Sequence, residues 1–173
     1  LGNTSFLDGV TATKLSRVLM TYVIPLTIIK SFVRPYDPQE ALTLLMVFVI
    51  AGFLTLVYIV LSRLIFGKDN IIDRYAVIFS NKAFIGIPLI SAVIGPEAII
   101  YVTPGIIISN IFVWTFGARL MKMTSSFSLR NLIMNPSSIG FIIGLIIYLL
   151  QIQIPAFLMS SVNLVTSLNT PIA

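Results

Sequence analysis

The chain has no cysteine and no histidine, and charged side chains make up only 10% of its 173 residues. Without the first two there is no Cys-His or Ser-His-Asp nucleophile, no zinc ligand set of the usual kind and no disulfide framework. Most hydrolytic chemistry is excluded, and the chain is read as a non-enzyme with no cofactor and no metal. The scarcity of charge excludes more. A soluble domain carries roughly 25% charged residues, whereas here 11 Lys+Arg and 6 Asp+Glu stand beside 57% hydrophobic residues and a mean hydropathy of +1.03. So few charges cannot clothe a water-facing surface, and the expected class is an all-α polytopic membrane protein. Leu1 to Ser5 lack a charged segment leading into an apolar one, so no signal peptide is read.

What the sequence does have is long apolar runs. A helix rises 1.5 Å per residue and needs about 20 apolar residues to cross the hydrocarbon. Spans are expected over residues 13–33, 38–66, 71–94, 97–123, 136–150 and 155–173, within a single membrane domain covering 1–173. Residues 1–7 are expected to be the tip of an earlier helix. Pro38 is a natural first-turn residue and Gly67 a natural stop.

If each span crosses once, the cations divide unevenly. Lys14, Arg17, Arg63, Lys68, Arg74, Arg119, Lys122 and Arg130 fall on one side, and only Lys30 and Arg34 on the other. Cytoplasmic loops are enriched in Lys and Arg, so the loops near Lys14, Lys68 and Lys122 are expected in the cytoplasm of a multi-pass cell-membrane protein. The basic balance is then an orientation signal, and no nucleic-acid partner is expected.

One cation falls inside a span. In the run Phe79-Ser80-Asn81-Lys82-Ala83-Phe84-Ile85-Gly86-Ile87-Pro88, Pro88 lacks an N–H, Gly86 lowers helix propensity, and Asn81 can bond to freed backbone groups. The segment is expected to break, unwound, over 80–88. Irregular backbone at membrane depth is tolerated only where protein or a water-filled cavity satisfies it, and transporters place such half-helix ends at their substrate. Two readings of Lys82 stay open: a side chain snorkelling to the headgroups, or a cation facing an anionic substrate. Gly140-x-x-x-Gly144 is read as a small-residue packing face.

The run from Asn81 to Gly86-Ile87-Pro88-Leu89, followed by Ile94-Gly95-Pro96-Glu97-Ala98, resembles the broken fourth helix of the auxin efflux carrier family. That family includes plant auxin exporters and bacterial malate or malonate permeases. Leu15-Ser16-Arg17 with Tyr22-Val23-Ile24-Pro25-Leu26 resembles its second helix, and Asn110-Ile111-Phe112-Val113-Trp114 its fifth. Asn135-Pro136, Gly140, Gly144, Pro155 and Leu168-Asn169-Thr170-Pro171 resemble its sixth and the front of its seventh.

The resemblance implies ten helices in two inverted repeats of five, each repeat with a broken helix at the membrane centre. On that plan the chain holds the first repeat and the start of the second, and the second broken helix lies outside it. Asn81 and Pro88 match the family's crossing Asn and Pro, and Asn110 the polar residue of the fifth helix that supports the site; with Lys82 and Gly86 they are the candidate substrate-binding residues. Lys82 replaces the small or neutral residue of the auxin exporters, which favours a small carboxylate such as malate or malonate over auxin. The implied function is a secondary transporter for a small organic anion, working by alternating access. The implied partners are that anion and the lipid bilayer, with a homodimer left open. A sodium or proton antiporter of similar fold, or a non-transporting membrane subunit, is the alternative.

Overall fold

The computed structural model describes residues 9–80, 82–121 and 129–169, and every regular element among them is helical. The all-α class expected from composition is the class observed. The helices are α1 (Gly9–Ser31), α2 (Pro38–Phe66), α3 (Ile71–Ile78), α4 (Ile87–Val93), α5 (Pro96–Leu120), α6 (Leu129–Ile133), α7 (Pro136–Leu150) and α8 (Ala156–Thr166). By length and apolar composition α1, α2 and α5 can cross a membrane, while α7 and α8 are shorter apolar helices. The 15 residues of α7 reach about 22 Å, short of the roughly 30 Å hydrocarbon core.

Proline and the wide turn explain the course of α1. Pro25 donates no hydrogen bond, and its ring crowds the carbonyl four residues back. Leu19–Val23 widens into a π turn just before it, with the Ile24 N–H reaching back to the Leu19 carbonyl. The helix therefore passes Pro25 without ending. Leu19, Val23, Ile24, Ile28 and Phe32 recur at helical spacing on one face, and none is more than 1% exposed.

α7 lies against this part of α1 and touches it at its glycines. A Cβ at Gly140 would sit 2.8 Å from the Pro25 carbonyl oxygen, and one at Gly144 2.9 Å from the Phe32 ring. Small residues at these positions let the two backbones approach, as in other membrane helix pairs.

α2 starts on Asp37, whose carboxylate accepts the Gln39 N–H at 2.9 Å, and on Pro38 in its first turn. It stops at Gly67, whose φ of 72° favours glycine. Of its 29 residues only Leu44, Thr55 and Ser62 are buried, which suits a helix facing lipid. α2 packs on α5 and α3, whereas α1 packs on α7 and α8. α5 also touches α1 and α7. Where the groups meet, Ile24, Ile28, Leu44, Ile87, Ile100 and Tyr148 share one buried cluster.

A polar knot closes the end of the bundle beside the α1–α2 connection. Arg34 donates through Nη1 to Glu40 at 2.9 Å and through Nη2 to the Glu97 carbonyl at 2.9 Å. The Tyr101 hydroxyl donates to Glu40 Oε1 at 3.0 Å and that of Tyr148 to Glu40 Oε2 at 3.2 Å. One carboxylate thus ties α2 to α5 and α7 through charge-assisted bonds.

The interruption of the third span differs from the expected unwound stretch over 80–88. Helix α3 ends at Ile78, and Phe79 leaves helical geometry at φ −112°, ψ 61°. Lys82–Gly86 form a π-helical turn running into α4. Pro88 stands in the first turn of α4, where an N–H would have no intrahelical partner in any case. The proline therefore begins a helix here, and the break sits earlier. Arg74, counted among the basic loop residues, is buried at 7% exposure and reaches the Lys68 carbonyl from Nη1 at 3.5 Å. Asn81, Lys122 and Thr170-Pro171 lie outside the described residues.

Candidate functional site

The end of α3 opens onto a cavity of about 520 Å³. From the interrupted span Tyr75, Phe79, Ser80 and Ala83 line it, from α1 Met20 and Thr21, from α5 Ser109 and Asn110, and from the α7 start Asn135 and Ser137. Four segments therefore converge on one space, and each arrives there for a local reason.

Tyr75 and Phe79 are one turn apart on the same face, with ring centroids 4.8 Å apart. They lean on α5 at Gly117, where a Cβ would sit 3.0 Å from the Phe79 ring and 3.1 Å from that of Tyr75. Glycine at 117 leaves the space the aromatic pair occupies. α5 also widens into a π turn at Val113–Gly117, just beyond Asn110, and such turns are frequent at functional sites.

Asn110 and Asn135 connect the two sides of the cavity. The Asn110 side-chain amide donates to Asn135 Oδ1 at 3.4 Å, and the same oxygen accepts the Ser137 N–H at 3.0 Å as the cap of α7. The cap thus fixes Asn135 while leaving its side chain within reach of α5. Thr115 spends its hydroxyl on the Ile111 carbonyl at 2.7 Å.

The five residues singled out from sequence are placed differently. Asn110 lines the cavity. Asn81 is outside the described residues, and Lys82 opens the π-helical turn next to Ala83, its side chain lying outside what the structure describes. Gly86 closes that turn, and a Cβ there would make an ordinary 3.8 Å contact with Val102. Among the described lining residues neither Gly86 nor Pro88 appears. Sequence reasoning did not place Asn135 or Tyr75 in a site, whereas Phe79 and Ser80 stand at the front of the run expected to line one. Asn135-Pro136 did carry a legible signal, a capping residue before a first-turn proline, but its proximity to Asn110 is a tertiary fact.

Chemically, the cavity offers two carboxamides and several hydroxyls beside an irregular stretch of backbone. Such a set hydrogen-bonds a polar solute without committing to a charge. No curated protein and no solved structure matches the chain. The family of membrane transport proteins matches residues 1–127. With that match covering the interrupted helix, α5 and both long helices before them, the chain belongs to the membrane transport protein family of auxin efflux carriers.

Proposed function

We propose that this protein is a secondary transporter for a small organic anion such as malate or malonate, and that it works by alternating access around the α3–α4 interruption. The observation that supports this most is the convergence of that interruption with Asn110 and Asn135 on one cavity. Interrupted helices at membrane depth serve other transporters as substrate sites because their free backbone groups and helix ends face the solute.

In this reading Asn81 and Asn110 hydrogen-bond the substrate, Lys82 balances its negative charge, and Gly86 and Pro88 shape the π turn and the start of α4. Lys82 suits a carboxylate because a cation within a span is costly unless paired or hydrated. The basic loops near Lys14 and Lys68 face the cytoplasm, on the excess of Lys and Arg on that side.

The test is malate uptake into vesicles holding the intact protein. Lys82→Ala is expected to lower uptake at least tenfold with helix content unchanged, and Lys82→Arg to restore part of it. Uptake equal to that of the unmodified protein would remove Lys82 from the site.

A further inference from the structure

A second cavity, of about 380 Å³, lies at the other end of α1 among α1, the α4–α5 turn and α8. It is separate from the first: Thr21 lines one and Thr27 the other, about 9 Å apart along the helix. Ile24, fully buried, stands between them. The volume is at the lower end of the range for ligand pockets.

Lys30 and Glu97 both line this cavity, and among the described residues neither side chain has a hydrogen bond or an ion pair. Arg34, also at its edge, is already engaged by Glu40. Two opposite charges therefore face one space without being spent on each other. The Glu97 carboxylate folds back over Gly95, whose φ is 130° and where a Cβ would collide with it.

Much of the rest of the wall is hydroxyl and carboxamide. The hydroxyls of Thr27, Ser31, Thr166 and Ser167 donate to carbonyls of their own helices at 2.7, 2.7, 3.2 and 2.7 Å. What remains to face the cavity is their lone pairs. Asn169 also lines it at 4% exposure, and its Oδ1 has no partner among the described residues. Buried polar atoms are ordinarily hydrogen-bonded, so this oxygen points to a missing donor.

A simple anion would satisfy Lys30 but meet Glu97 and the lone pairs of these four hydroxyls. A simple cation would satisfy those and meet Lys30. We propose that the cavity binds a small zwitterion, with its anionic oxygens at Lys30 and its N–H-bearing ammonium toward Glu97 and Asn169. A free amino acid and the headgroup of an ethanolamine phospholipid share this chemistry. The site is independent of the transport reading, because none of its residues lines the α3–α4 cavity.

The experiment is calorimetric titration of the intact protein in phosphatidylcholine nanodiscs, whose quaternary ammonium carries no N–H. L-alanine, acetate and ethylammonium are the probes. Saturable alanine binding is expected, at least tenfold tighter than that of either half-probe, and at least tenfold weaker in Lys30→Gln and Glu97→Gln. The half-probe comparison uses the unmodified protein and stands even if a variant fails to fold. If phosphatidylethanolamine in the disc displaces alanine, the headgroup fills the site; if alanine binds regardless, a free amino acid does. Either result supports the assignment. Acetate binding as tightly as alanine, no alanine binding, or binding indifferent to both substitutions would overturn it.

Discussion

Gly140 of α7 is packed so closely on Pro25 of α1 that a methyl group on its α-carbon would stand 2.8 Å from the proline's carbonyl oxygen and 2.9 Å from its α-carbon. These are backbone atoms and cannot swing aside as a side chain would. Gly140→Leu is expected to separate α1 from α7 and to lower stability by about 1–3 kcal/mol or more, the usual cost of overpacking. Gly105 has open space where its Cβ would be, so Gly105→Ala should be neutral or stabilising by up to about 1 kcal/mol. Thermal melting of the two purified variants checks the contrast. Equal melting points would mean that the α1–α7 approach contributes little.

The Asn110–Asn135 pair joins a site residue to a helix cap. Asn135→Ala removes the cap, at a typical cost of about 1 kcal/mol, and frees the Asn110 amide. Asn110→Ala leaves the cap intact. In malate uptake the double variant should therefore fall no further than the worse single variant, because each substitution breaks the same link. Additive losses would show that the two asparagines act separately.

Three polar contacts converge on the Tyr148 hydroxyl, two of them sharing its single proton. The oxygen accepts the Asp37 N–H at 3.1 Å, and the hydroxyl faces the Asp37 carbonyl at 3.1 Å and Glu40 at 3.2 Å. Tyr148→Phe preserves the ring contact with Phe32 but leaves the Asp37 N–H and part of the Glu40 carboxylate without their partner. A loss of about 1–3 kcal/mol is expected, the cost of an unsatisfied part-buried group. Denaturant or thermal unfolding measures it, and a loss below about 0.5 kcal/mol would mean that water replaces the hydroxyl.

The interrupted third span shows how far sequence reasoning reaches. Its glycine, asparagine and proline identified a segment that cannot be one regular helix, and α3 indeed ends at Ile78. The position of the break was less legible. Pro88 is compatible with either interrupting a helix or starting one, and nothing in its neighbours chooses between them. The choice is made in three dimensions, where Tyr75 and Phe79 pack on Gly117 and α4 places Ile87 in the buried cluster. Gly140-x-x-x-Gly144 was legible as a close-packing face, but its partner, the stretch from Pro25 of α1 to Phe32 just past its end, was not.

By itself the sequence determined the solvent this protein lives in, because so few charges cannot cover so much apolar surface. It also determined the helical class, since a backbone in lipid must satisfy its own hydrogen bonds and apolar runs of about 20 residues do so as helices. Asn110 and the interrupted segment were visible as polar and helix-breaking residues inside apolar runs. Only the tertiary structure decided that Asn110 meets Asn135, 25 positions away, and that Lys30 and Glu97 share a cavity. Composition and periodicity report the environment each residue prefers. Which residues share that environment depends on how the helices pack, and that is set by the shapes of facing surfaces such as Gly140 on Pro25.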